Sequence, residues 1–144
     1  MTKKERAQEL FLQGYNCAQA VAGAFCDEIG LPFDTCVRAV SAYGGGMGRL
    51  REVCGACSGM AFVLGNVMGY DKADDHEGKK VLYETVREGF GKFKEKNGSY
   101  ICKELLSGEP IGGDPAERTK AYYKKRPCAE LVGDAAEICE QLLK

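Results

Sequence analysis

The chain has no tryptophan, a single histidine and almost no net charge. Its 144 residues carry 20 Lys and Arg against 21 Asp and Glu, a formal charge of −1. That balance supplies no electrostatic pull toward nucleic acid or an anionic membrane, so neither is expected as a partner. The basic triplet Lys124-Lys125-Arg126 reads as a solvated helix end rather than a binding patch. No apolar segment of signal-peptide length follows Met1-Thr2-Lys3-Lys4, and a cytoplasmic address is the expectation. The longest uncharged stretch, Val53 to Tyr70, is diluted by glycines, Ser58 and Asn66. It reads as a buried central helix, not a membrane span. No run alternates β-branched residues, which argues against a sheet.

Other absences narrow the chemistry. The glycine run Gly44-Gly45-Gly46-Met47-Gly48 has no Gly-Lys-Ser/Thr ending and no preceding strand, so no nucleotide is expected. The lone histidine sits in Asp74-Asp75-His76-Glu77, an acidic helix start more than a metal-binding corner. Any metal site here must therefore draw on sulfur. No order of Cys, His and Asp suggests a thiol protease.

What the chain does have is sulfur: eight cysteines, with ordinary hydrophobic (44%) and charged (28%) content. Length and composition suit one domain with one core, spanning residues 1–144. In a reducing compartment eight thiols are not a disulfide framework, which leaves metal binding, redox work or burial.

The periodicity is helical throughout, and the expected fold is an all-α, single-domain, compact multi-helix bundle. Helices are expected over 3–13, 17–29, about 32–43, from Arg51–Cys54 to Met68, and 74–96. A short one is expected after Ser99, another over 115–124, and a last one from Pro127-Cys128. Ala7, Leu10 and Phe11, then Val21, Ala24, Phe25 and Ile29, should face inward. So should Val81, Leu82, Val86, Phe90 and Phe93, and in the last helix Leu131, Val132, Ala135, Ile138 and Leu142.

Placed on this map, four cysteines fall in a first helical turn. Cys17 follows the cap residue Asn16, Cys54 lies near a helix start, Cys102 lies three residues after Ser99, and Cys128 follows Pro127. Unpaired N–H groups and the positive end of the dipole favour thiolate there. If the four starts meet, they form a pocket of four thiolates. Cys57, three residues after Cys54, shares its face and is either a resolving thiol or ligand, or a buried packing residue. Cys26, Cys36 and Cys139 read as buried. Gly55 and Gly59 lie four apart on one face, admitting either a cofactor or a closely packed helix.

The order Cys17, then Cys54-Gly55-Ala56-x-x-Gly59, then Cys102, then Cys128 resembles the redox-active protein family named for its C_GCAxxG_C_C pattern. Gly14-Tyr15-Asn16-Cys17-Ala18-Gln19-Ala20-Val21 and Cys102-Lys103-Glu104-Leu105 support it. The resemblance implies Cys17, Cys54, Cys102 and Cys128 as the family cysteines. A similar module accompanies haem and an iron–sulfur centre in split-Soret-type cytochromes, but no Cys-x-x-Cys-His is present, so covalent haem is not expected.

Two functions follow as expectations. One is thiol–disulfide chemistry, with Cys54 attacking and Cys57, Cys17 or Cys128 resolving, on a partner protein's disulfide or a small oxidant. The other is an iron–sulfur cluster or zinc held by Cys17, Cys54, Cys102 and Cys128. A helical interaction protein with simply buried cysteines is the blander alternative. Oligomeric state stays open, a homodimer being one option.

Overall fold

Capping side chains fix where four of the helices begin. The computed structural model describes residues 1–144, the side chain of Lys125 excepted. Helix α1 (Lys3–Leu12) starts with a reciprocal box. The Thr2 hydroxyl accepts from the Glu5 N–H, and the Glu5 carboxylate accepts from the Thr2 N–H, both at 3.0 Å. Helix α2 (Cys17–Ala24) repeats the device with Asn16 and Gln19. Then come α3 (Cys26–Ile29), α4 (Phe33–Ala39), a 3-10 turn over Ser41–Tyr43, and α5 (Gly55–Met68). Helix α6 (His76–Asn97), α7 (Cys102–Leu105), α8 (Lys120–Lys125) and α9 (Cys128–Leu142) complete the chain.

The all-α expectation holds. Among the described residues no strand forms, and the one extended pairing is an isolated antiparallel bridge between Val53 and Ile101. No helix among them is long and apolar enough to cross a membrane.

Four helix boundaries differ from the sequence reading. The helix expected over about 32–43 ends at Ala39, ahead of the 3-10 turn. The segment expected as one helix over 17–29 breaks at Phe25, where Lys3 Nζ takes the Ala24 carbonyl that an unbroken helix would use. The helix expected from Arg51–Cys54 begins at Gly55, because Arg51 is left-handed (φ 61°) and Val53 is extended against Ile101. The piece expected from Pro115 begins at Lys120, where Thr119 accepts the Tyr122 N–H.

The core lies where α1, α2, α5 and α9 pack on one another, with α6 across α5 and α9. Ala7, Leu10, Phe11, Val21, Ala24, Phe25, Val132 and Ala135 are buried as the periodicity requires. Leu131 and Ile138 are too, whereas Ile29 and Leu142 are only partly buried. Of the α6 residues expected to face inward, only Phe93 is fully covered. Leu82, Val86 and Phe90 are partly buried and Val81 is exposed, since a single layer of neighbours covers this helix.

Helices α2 and α5 touch backbone to backbone at Gly59. A Cβ there would stand 2.8 Å from the Ala18 carbonyl oxygen and 3.0 Å from Val21 Cβ. Gly65, one and a half turns on, faces open space. Gly59→Val should therefore lower unfolding free energy by about 1–3 kcal/mol. Gly65→Ala should raise it by up to about 1 kcal/mol. Urea titration of the two variants checks both signs.

Candidate functional site

The left-handed glycine segment and the loop after α7 build one wall of a cavity, and four helix starts build the rest. Gly45, Gly46, Met47, Gly48, Arg49 and Arg51 all have φ between 55° and 73°. The three non-glycines among them cost roughly 1 kcal/mol each or more. Local backbone bonds hold the coil: Arg49 N–H to Gly44 O, Arg51 N–H to Gly45 O and Glu52 N–H to Gly46 O. Gly46 has no room for a side chain, because a Cβ would lie 2.7 Å from Cys102 Cβ.

A short ladder then brings two sulfurs side by side. The Cys54 N–H donates to Tyr100 O (2.8 Å), Cys102 N–H to Glu52 O, and Lys103 N–H to Arg51 O (3.0 Å). Cys54 becomes the N-cap of α5, and Cys102 the first residue of α7, whose cap position is Ile101 rather than Ser99. Ser99 instead accepts the Ile101 N–H and donates to Glu104. Asn16 sets Cys17 as the first residue of α2 and donates to Ser41 O. Pro127 sets Cys128 as the first residue of α9.

Cys17, Cys54, Cys102 and Cys128 all line a single cavity of about 360 Å³. Arg49, Arg51, Arg118 and Arg126 line it too, and no Asp or Glu is among its lining residues. Arg118 donates to the Phe11 and Tyr15 carbonyls and lies over the Phe11 ring at 4.5 Å, tying the α1–α2 turn to the segment before α8. Arg126 pairs with Glu109 at 2.9 Å and stacks on Tyr122. The solvated helix end expected for Lys124-Lys125-Arg126 is thus wrong for Arg126, which Tyr122 and Glu109 turn inward. The Lys125 side chain lies outside the described residues.

The sulfurs form two donor–acceptor couples. A hydrogen bond from the Cys57 thiol holds the Cys54 thiol below its ordinary range, helped by the Ala56 and Cys57 N–H groups and opposed by burial. Burial, that donated bond and repulsion by Cys54 push Cys57 far up. Likewise a hydrogen bond from Cys17 lowers Cys128, with Arg126, Arg118 and Arg51 adding to it, while Cys17 itself is raised. Burial raises Cys102 against the pull of Arg51, whose Nη1 lies 3.7 Å from its sulfur. So the four family cysteines are not equivalent: Cys54 and Cys128 are lowered, while Cys17 and Cys102 are raised. Neighbouring sulfurs cannot all ionise at low cost, and one-turn α7 has little dipole to offer Cys102.

The remaining candidates separate cleanly. Cys57 is fully buried behind Cys54 and does not line the cavity. Gly55 lines it and also lets Cys17 and Ala18 approach, with Cys17 Cβ 3.2 Å from where its own Cβ would be. Gly59 meets α2, the helix-packing alternative. Cys36 and Cys139 are buried and Cys26 half-buried, all away from the cavity lining. Burial pushes Cys139 up to about 12. His76 is exposed at the start of α6, which Asp75 caps. Among the described residues no three His, Cys, Asp or Glu side chains are arranged to hold one metal ion.

The sequence reading missed the arginines. Arg49 and Arg51 directly follow the glycine run and were the legible half. Arg118 and Arg126 reach the cavity only through tertiary folding.

Among known proteins, the family model described as "Putative redox-active protein (C_GCAxxG_C_C)" matches residues 15–142. No curated protein and no solved structure matches the chain.

The couples predict a pH-dependent labelling pattern. In reduced protein, iodoacetamide should modify Cys54 and Cys128 at pH values where an ordinary thiol, with pKa about 8.5, is protonated. Their rates should fall only as pH drops through the depressed values. Cys17, Cys57 and Cys139 should stay unlabelled until far more alkaline pH. Peptide mass mapping across a pH series reads this directly.

Proposed function

We propose that this chain, which belongs to the C_GCAxxG_C_C family, is a dithiol–disulfide redox protein with Cys54 as attacking thiolate and Cys57 as resolving thiol. The observation that carries this reading is the asymmetry of the couple. Cys54 lines the cavity at a helix cap with its thiol pKa depressed, and Cys57 is a protonated thiol buried one turn behind it. An accessible thiolate is the nucleophile in thiol–disulfide exchange, and a nearby second thiol closes the cycle.

The Cys54 thiolate attacks one sulfur of a substrate disulfide. The substrate S–S bond breaks, its far sulfur leaves as thiolate, and a mixed disulfide forms at Cys54. Cys57 then loses its proton and attacks the Cys54 sulfur. The mixed disulfide breaks, the second substrate sulfur leaves and is protonated, and Cys54 and Cys57 end joined. The substrate gains two electrons and becomes two thiols, and the protein dithiol loses two. Cys17 and Cys128 form a second couple with the same division of one lowered and one raised thiol.

A four-sulfur metal centre is the second reading, favoured by the shared cavity of Cys17, Cys54, Cys102 and Cys128. As placed, these residues do not fit a common ion, since no three ligating side chains among the described residues are so arranged.

Mild oxidation of reduced protein should yield a reversible Cys54–Cys57 disulfide by peptide mapping. Cys57→Ser should leave Cys54 trapped as a mixed disulfide and slow turnover of a model disulfide about tenfold or more. Protein purified anaerobically should carry no stoichiometric iron, sulfide or zinc. A stoichiometric metal together with no Cys54 disulfide would replace this reading with the second.

A further inference from the structure

Arg51 is 1% exposed, yet it lines the thiol cavity. Its Nε donates to Pro110 O at 3.0 Å and its Nη1 faces Cys102 Sγ at 3.7 Å. Its Nη2 is buried with no hydrogen-bond partner. It is the one buried side-chain nitrogen or oxygen among the described residues left so. An orphaned donor on a full charge is costly, and no carboxylate lines the cavity to offset it. Elsewhere the fold answers its buried charge: Asp134, 7% exposed, has Lys96 at 3.0 Å.

The other three cavity arginines add positive potential but have their own partners. Arg49 donates to Gly112 O, Arg118 to two backbone carbonyls, and Arg126 to Glu109. Arg51 alone among them has a buried guanidinium nitrogen without a partner. The fold also goes to some trouble to place it, with a left-handed backbone at Arg51 itself. The cavity size suits a small molecule. Its lining mixes these cations with apolar side chains such as Leu105, Leu106 and Leu131.

We propose that the cavity binds a small anionic ligand, one carrying a carboxylate or a sulfur or phosphorus oxyanion, whose oxygens pair with Arg51 Nη2 beside the cavity thiols. On the redox reading above, this makes the substrate a small anionic sulfur compound rather than a partner protein's disulfide. Binding itself stands without that reading. A guanidinium suits planar or tetrahedral oxyanions through paired N–H bonds, and a buried one does so with little competition from water.

The test is isothermal titration of reduced protein, in dilute chloride buffer, with sulfate, phosphate and S-methylglutathione. S-methylglutathione is a thioether that brings carboxylates but cannot exchange disulfides. At least one should bind saturably, and the three arms separate inorganic oxyanions from carboxylate-bearing sulfur ligands. Arg51→Gln should weaken that binding about tenfold or more. If that variant does not fold, the wild type still decides. The bound anion should slow iodoacetamide labelling of Cys54 and Cys128 while leaving Cys26 unchanged. No saturation below about 10 mM for any of the three anions overturns the proposal. So does binding that neither Arg51→Gln nor labelling protection reports. Anion binding without a reversible Cys54 disulfide would keep this site and sink the exchange chemistry. Disulfide cycling without anion binding would do the reverse.

Discussion

A buried positive charge with no carboxylate beside it is the constraint on which the site depends. Taking a guanidinium out of water costs several kcal/mol unless anions or acceptors replace the lost hydration. Around Arg51 the replacements are the Pro110 carbonyl and the sulfur of Cys102. The charge also adds, after Arg126 and Arg118, to the lowering of the Cys128 thiol. The left-handed run from Gly45 to Arg51 exists at a conformational cost, and what it achieves is the placement of this side chain and of Gly46 against Cys102.

The sulfur chemistry follows from that placement. A thiolate is stabilised by donors aimed at it and destabilised by burial and by other thiolates. Four sulfurs around one cavity therefore cannot behave alike. The couples ease the conflict by splitting each pair: Cys57 is raised as it lowers Cys54, and Cys17 is raised as it lowers Cys128. Cys102 has no such sulfur partner and leans on Arg51. The result is two thiols lining the cavity with lowered pKa, each hydrogen-bonded by a second thiol with a raised one.

How much of this was legible in the chain depended on the range of the signal. Helix starts were legible because caps are local: Asn16 with Gln19, and Pro127 before Cys128, put two thiols at first turns without any tertiary knowledge. The inward stripes of α1 and α9 followed from helical period. The start of α5 was misplaced because the pairing of Val53 with Ile101 joins residues 48 apart, and nothing near Val53 announces it. The role of the glycine run was hidden for the same reason, since Gly46 is required by Cys102, a residue far along the chain. Arg126 looked like surface charge and Arg118 carried no signal, because the carbonyls, rings and carboxylate that hold them come from distant segments or from tertiary stacking. The differing acidities of the four thiols were invisible at sequence level. They arise between sulfurs, and only folding makes those neighbours.

Sulfurs in and directly behind one basic cavity share protons in two couples, Cys54 with Cys57 and Cys128 with Cys17. Carbon-13 NMR of protein labelled at cysteine Cβ measures this residue by residue, because the shift separates thiol from thiolate and both from disulfide. The account predicts that, in reduced protein, Cys54 and Cys128 titrate below the ordinary thiol range while Cys57 and Cys17 remain protonated well above it. These four thiols titrating independently near the ordinary value of about 8.5 would contradict it.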